Sequence, residues 1–124
     1  MDFKYIYNEN HTVILPGTAL FTLKWADGLN SAIDNLIEEG DTGFIVDLGE
    51  CNVEDIQVLQ KLIEIHEHCY SEGCSLVFTN LDAANMAWIK KSDVDHKLNI
   101  APKMQEAIDI ITMEQLERDL FNEE

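Results

Sequence analysis

The sequence predicts an α/β sandwich, with four to five helices packed on a mostly parallel sheet of four to five strands that has one antiparallel edge. From residue 43 onward, short apolar runs alternate with segments whose apolar residues recur at helical spacing. The first two β-prone runs are instead joined by a brief polar connection, as an antiparallel pair would be. A length of 124 residues suits one core.

Phe3 to Tyr7 and Thr12 to Leu15 are the opening pair, separated by Asn8-Glu9-Asn10-His11 and stopped by Pro16-Gly17. Leu23 to Glu39 then places Trp25, Leu29, Ala32, Ile33, Leu36 and Ile37 at helical spacing. Thr22 is its expected N-cap, Gly40 its stop, and Trp25 belongs to its core-facing stripe. Gly28 weakens this helix by ~1 kcal/mol without abolishing it.

The stretch Gly43 to Ile63 organises the chain. Phe44-Ile45-Val46 reads as a buried central strand ending in Asp47-Leu48, followed by the turn Gly49-Glu50-Cys51-Asn52. Helical spacing resumes at Val53, with Ile56, Leu59, Leu62, Ile63 and Cys69 on one side. Asn52 is the expected N-cap and Asp55 the acid of a capping box. A strand that turns straight into a helix brings the helix's first N–H groups to a sheet edge, where partners dock.

Cys74 to Thr79 is a second buried strand. Asp82 caps a helix from Ala83 to Lys91, Ser92 to Lys97 is a charged connection, and Leu98 to Ala101 is a short last strand. After Pro102, Met104, Ala107, Ile108 and Ile111 mark a helix, and helical character continues from Glu114 to Phe121 before the acidic end Asn122-Glu123-Glu124. Alternation of strands and helices implies right-handed crossovers in a sheet covered by helices.

Twenty-four acidic against 8 basic residues leave a net charge of −16, which repels nucleic acid and anionic lipid alike. No apolar run approaches the ~20 residues of a membrane span, and the N-terminus has no signal-peptide pattern. Cys51, Cys69 and Cys74 show no CxxC spacing, so a cytoplasmic protein with reduced thiols is expected.

This order of elements, and several of its residues, resemble the STAS domain shared by sulfate-transporter C-terminal domains and bacterial anti-sigma-factor antagonists. Val46-Asp47-Leu48 matches the triplet that ends the family's third strand, and Asp55 falls on the Asp of the Asp-Ser-Ser/Thr-Gly segment opening the next helix. Ser71 to Gly73, Leu76-Val77-Phe78, Thr79-Asn80-Leu81 and the tail with Ile100, Pro102, Glu106 and Ala107 are similar too. The resemblance implies one STAS-like domain over residues 1–124, with 112–124 as a C-terminal helical extension. It departs where it matters: Ile56 stands at the phosphorylatable serine, Gln57 at the second hydroxyl residue and Val58 at the glycine. Glu50, Glu54 and Asp55 would also oppose an incoming phosphate.

The resemblance therefore implies a non-catalytic module that binds a protein without serine phosphorylation and needs no cofactor. Its expected surface is Glu50, Cys51, Asn52, Glu54, Asp55, Ile56 and Gln57, with Asn85 and Trp88 on the neighbouring helix. The partner implied is a kinase of the anti-sigma-factor type or, alternatively, a transport-complex subunit. A third reading takes Asp47 as a receiver-like phosphoacceptor with Thr79 as its hydroxyl neighbour, although the acidic pair that would hold Mg²⁺ is missing after the first strand. His66, His68 and Cys69 invite a metal reading, but at most two of them share a helix face, so no metal site is expected. The helix N-terminus would lower the Cys51 thiol pKa, and the neighbouring acids would raise it.

Overall fold

The computed structural model describes residues 2–122; Glu123 and Glu124, within the expected acidic end, lie outside the described residues. In chain order the elements are β1 (Phe3–Tyr7), β2 (Thr12–Pro16), α1 (Leu23–Glu38), β3 (Gly43–Asp47), α2 (Ile56–Ser71), β4 (Ser75–Thr79), α3 (Ala83–Lys91), a 3₁₀ turn (Asp95–Lys97), β5 (Ile100–Ala101) and α4 (Met104–Asn122). The five strands lie in sequence order; β1 runs antiparallel to β2, and the rest are parallel. This is the mixed α/β sheet that the sequence predicts.

The central strands have no polar face. Phe44, Ile45, Val46, Leu76, Val77 and Phe78 are all buried, so both faces of the sheet need a cover. Side chains alternate along each strand. Ile14, Phe44, Val46, Leu76 and Phe78 therefore meet Leu29 and Ile33 of α1, Leu59 and Leu62 of α2, and Ile89 of α3. On the other side Val13, Ile45 and Val77 meet Ala107 and Ile111 of α4. Gly43 lies under that helix: a Cβ there would stand 2.7 Å from the Asn10 carbonyl oxygen and 2.9 Å from Ile111 Cγ2, leaving room only for hydrogen.

Three expectations change in detail. Trp25 is half-buried rather than core, packing edge-on against Phe3 of β1 with ring centroids 5.2 Å apart. The last strand shrinks to Ile100–Ala101, because Leu98 drops into the core and Asn99 turns its side chain toward α2 and α4. The two C-terminal helical segments form one continuous helix.

Beside β5, Asn99 meets the edge of β4 with its backbone and a side-chain network with its amide. The Asn99 carbonyl accepts from Phe78 N at 2.9 Å, while its amide donates to the Tyr70 hydroxyl, which donates in turn to Glu114 Oε1 at 2.6 Å. The His66 ring leans on Tyr70 at 4.5 Å, and its buried Nε2 has no hydrogen-bond partner. Burial lowers the His66 pKa below the ordinary 6.5, outweighing the opposing pull of Glu114 and Glu67.

Neutral His66 therefore supports the folded state fully above the unfolded value near 6.5, and that support is lost as the pH falls through the lower folded value. Urea midpoints across this range should fall less steeply for His66→Gln than for the parent. Phe78→Ala should cost ~3–5 kcal/mol in the same assay. Ile6→Thr, on the exposed edge strand, should stay within about 0.5 kcal/mol.

Candidate partner-docking end

The C-terminal ends of β2, β3 and β4 deliver their loops to one edge of the sheet, where side chains tie them together. Asp47, last residue of β3, accepts from Gly49 N at 2.9 Å through Oδ1 and from Asn80 Nδ2 at 3.0 Å through Oδ2. Asn80 adopts a left-handed backbone (φ 62°), which Asn tolerates better than most residues. Both Asp47 oxygens are thus engaged in shaping turns. The Thr79 hydroxyl, beside it in register, donates to the Ala101 carbonyl at 2.8 Å and is buried.

The turn after β3 is held from two sides, by the β2–α1 loop and by α3. Asn52 N donates to the Ala19 carbonyl at 2.8 Å and Phe21 N to the Asn52 carbonyl at 2.9 Å, joining the turn to the β2–α1 loop. The Cys51 thiol donates to the Thr18 carbonyl at 3.2 Å. From α3, Asn85 reaches in: its Nδ2 donates to the Cys51 carbonyl at 2.7 Å and its Oδ1 accepts from Val53 N at 3.2 Å. Asn85 is only 2% exposed and Cys51 is buried, so both hold the turn from inside rather than offer surface. Trp88, also on α3, is half-buried against the main core.

The helix begins later than the spacing predicts. Asn52 Oδ1 accepts from Glu54 N, a local turn rather than a helix cap. Asp55 is the N-cap, its Oδ1 accepting from Gln57 N at 2.8 Å and from Val58 N at 3.4 Å. The shift reassigns Ile56. Periodicity sets it on one side with Leu59 and Leu62 while the family resemblance sets it at the surface; it is the first helical residue and 48% exposed, and Val58 and Ile65 take up core positions that the spacing missed. Leu20 and Leu23 are likewise exposed. Leu20 pairs with Asn52 as an isolated bridge, and Leu23 opens α1. Neither stands out as surface in the sequence, because the exposure of a single leucine leaves no local pattern. Glu50, Asn52, Glu54, Asp55 and Gln57 are exposed around them.

The end is rich in carboxylates. Desolvation, then Asp47 and Glu50, push the Cys51 thiol up to about 11, opposite to the lowering that a helix N-terminus would give. The His66, His68 and Cys69 group lies elsewhere on α2. His68 Nε2 pairs with Asp34 Oδ1 at 2.8 Å, and Cys69 is buried. Among the described residues, a different trio, Asp93, Asp95 and His96, brings its ligand atoms within 4.8 Å.

A sheet in sequence order, a terminal helix on its second face and loops gathered at one edge define an α/β domain of STAS type. A model of the STAS domain matches residues 6–107, and the chain belongs to this family. Its fold is similar to that of an anti-sigma factor antagonist from Mycobacterium paratuberculosis (TM-score 0.71, 15% identity, 90% of this chain and 93% of that one). It is also similar to a serine-to-glutamate variant of RsbS from Moorella thermoacetica (0.72, 19%, 95% and 99%) and to a sulfate transporter family protein from Wolinella succinogenes (0.69, 18%, 88% and 90%). No curated protein matches the chain in sequence. At these identities the likeness shows the fold. No helix of the described residues is long and apolar enough to cross a membrane.

Asn85→Ala should destabilise the domain by ~2–4 kcal/mol in chemical denaturation, because it leaves the Val53 N–H and the Cys51 carbonyl buried and unpaired. Native Cys51 should react with a disulfide reagent at about pH 8 at least a hundredfold more slowly than unfolded chain, since about one thiol in a thousand is then ionised.

Proposed function

We propose that this chain is a non-catalytic protein-binding module of the anti-sigma-factor-antagonist type, which engages its partner through the start of α2 without serine phosphorylation. One observation carries the reading. Ile56 is exposed at the helix start, Leu20 and Leu23 are exposed in the segment that pairs with the preceding turn through Asn52, and Glu50, Glu54 and Asp55 are exposed on that turn and helix start. An apolar centre with a charged rim is the arrangement of a protein interface, and the apolar centre supplies most of the affinity. The STAS resemblance puts the phosphorylatable serine of regulated members at Ile56, so a kinase finds no hydroxyl there. Glu54 and Asp55 supply standing negative charge at the same turn, although the Asp55 carboxylate is committed to capping the helix. Asn85 supports the reading indirectly, by holding the turn that presents these side chains. Localisation in the cytoplasm, where such partners reside, belongs to the same proposal.

Structural likeness to a sulfate transporter family protein favours a second reading, in which the module is an accessory subunit of a transport complex. Calorimetric titration separates the two, using as probes a purified anti-sigma-factor kinase and a purified transporter ATPase subunit from the same cell. Binding to the kinase, weakened at least about thirtyfold by Ile56→Glu and by Leu20→Glu, is the expected result, equivalent to a hot spot of ~2 kcal/mol. Binding to the ATPase alone selects the second reading. Affinity unchanged by both substitutions overturns the docking end. Ile56→Ser should leave kinase affinity insensitive to ATP while Glu54 and Asp55 remain.

A further inference from the structure

The outer face of α4 carries a second apolar surface, at the opposite end of the sheet. Its inner face is anchored along its length. Gln115 Nε2 donates to the Asn10 carbonyl at 2.8 Å, Thr112 Oγ1 accepts from Asn10 Nδ2 at 3.0 Å, and Arg118 donates to Ser75 Oγ and pairs with Glu114. These contacts reach the N-terminal ends of β3 and β4, away from the loops around Ile56. With the helix held in this way, Met113, Leu116 and Leu120 fall at i, i+3 and i+7 on the solvent side, 59%, 59% and 67% exposed, and Phe121 stands free beside them at 85%. All four lie beyond the segment that the STAS family model matches, which ends at residue 107.

A stripe of large apolar side chains at this spacing is the footprint of a helix-on-helix contact. Charge decides the occupant. Glu106, Asp109, Glu117 and Asp119 are exposed on the same helix, and its one cation, Arg118, is engaged with Ser75 and Glu114 on the inner side. A second copy would bring a matching acidic rim and another net charge of −16, and anionic lipid would be repelled. We infer that the outer face of α4 is a docking site for a basic amphipathic helix of another protein, with Met113, Leu116 and Leu120 as the apolar seam and Asp109, Glu117 and Asp119 as the charged rim.

The test uses the full chain and a fluorescent synthetic peptide of Lys and Leu patterned as an amphipathic helix, with a peptide of identical composition and scrambled order as control. The patterned peptide should bind at least about tenfold more tightly than the scrambled one. Leu116→Gln combined with Leu120→Gln should abolish that difference, while Glu117→Gln with Asp119→Asn should flatten its salt dependence. Ile56→Gln should bind the peptide as the parent does, which separates this site from the other docking end. Far-UV circular dichroism checks that each variant is folded. Equal affinity for the two peptides, or a patterned-peptide affinity unchanged by the double leucine variant, overturns the proposal. So does a dimer in sedimentation that the same variant dissolves, for then the occupant is a second copy.

Discussion

The order of the strands constrains everything else in this domain. When parallel strands follow one another across a sheet, crossovers of one hand place every connecting helix on the same side. Thus α1, α2 and α3 share one face, and the other would lie bare over Ile45 and Val77 without α4. The terminal helix is therefore integral to the core. Its first turns bury Ala107 and Ile111, and its later turns are held by polar contacts to Asn10, Tyr70 and Ser75.

The same strand order gathers loops. Because β2, β3 and β4 are parallel and adjacent, the segments that leave them emerge together at one edge. There a buried amide from α3, Asn85, joins the β3–α2 turn to the helix beside it, and the Leu20–Asn52 bridge joins that turn to the β2–α1 loop. The loops at this end are thus tied together by backbone pairing and by an internal side chain.

Much of the fold was legible because it depends on local pattern. Phe44-Ile45-Val46 and Leu76-Val77-Phe78 read as strands buried on both faces and are so, and Thr22 and Asp82 cap the helices they precede. The loop edge around α2 was less legible for a definite reason. Asn52 and Asp55 are both good caps, and choosing between them required knowing that Asn52 is already bound to the β2–α1 loop. That choice moves the helix start by three residues and sets Ile56 apart from the buried stripe of α2, in the exposed place that the family resemblance implies. Asn85 read as a surface residue because a buried asparagine is justified only by partners distant in sequence.

Amino-acid order alone determined the succession of strands and helices, the negative charge and the absence of a hydroxyl at the start of α2, since each is a property of neighbouring residues. Only the tertiary structure decided which leucines and isoleucines stay in water, that Asn85 is a clamp, and that α4 leaves a stripe uncovered. Those depend on which side of each helix meets the sheet, and that is set by contacts between segments far apart in the chain.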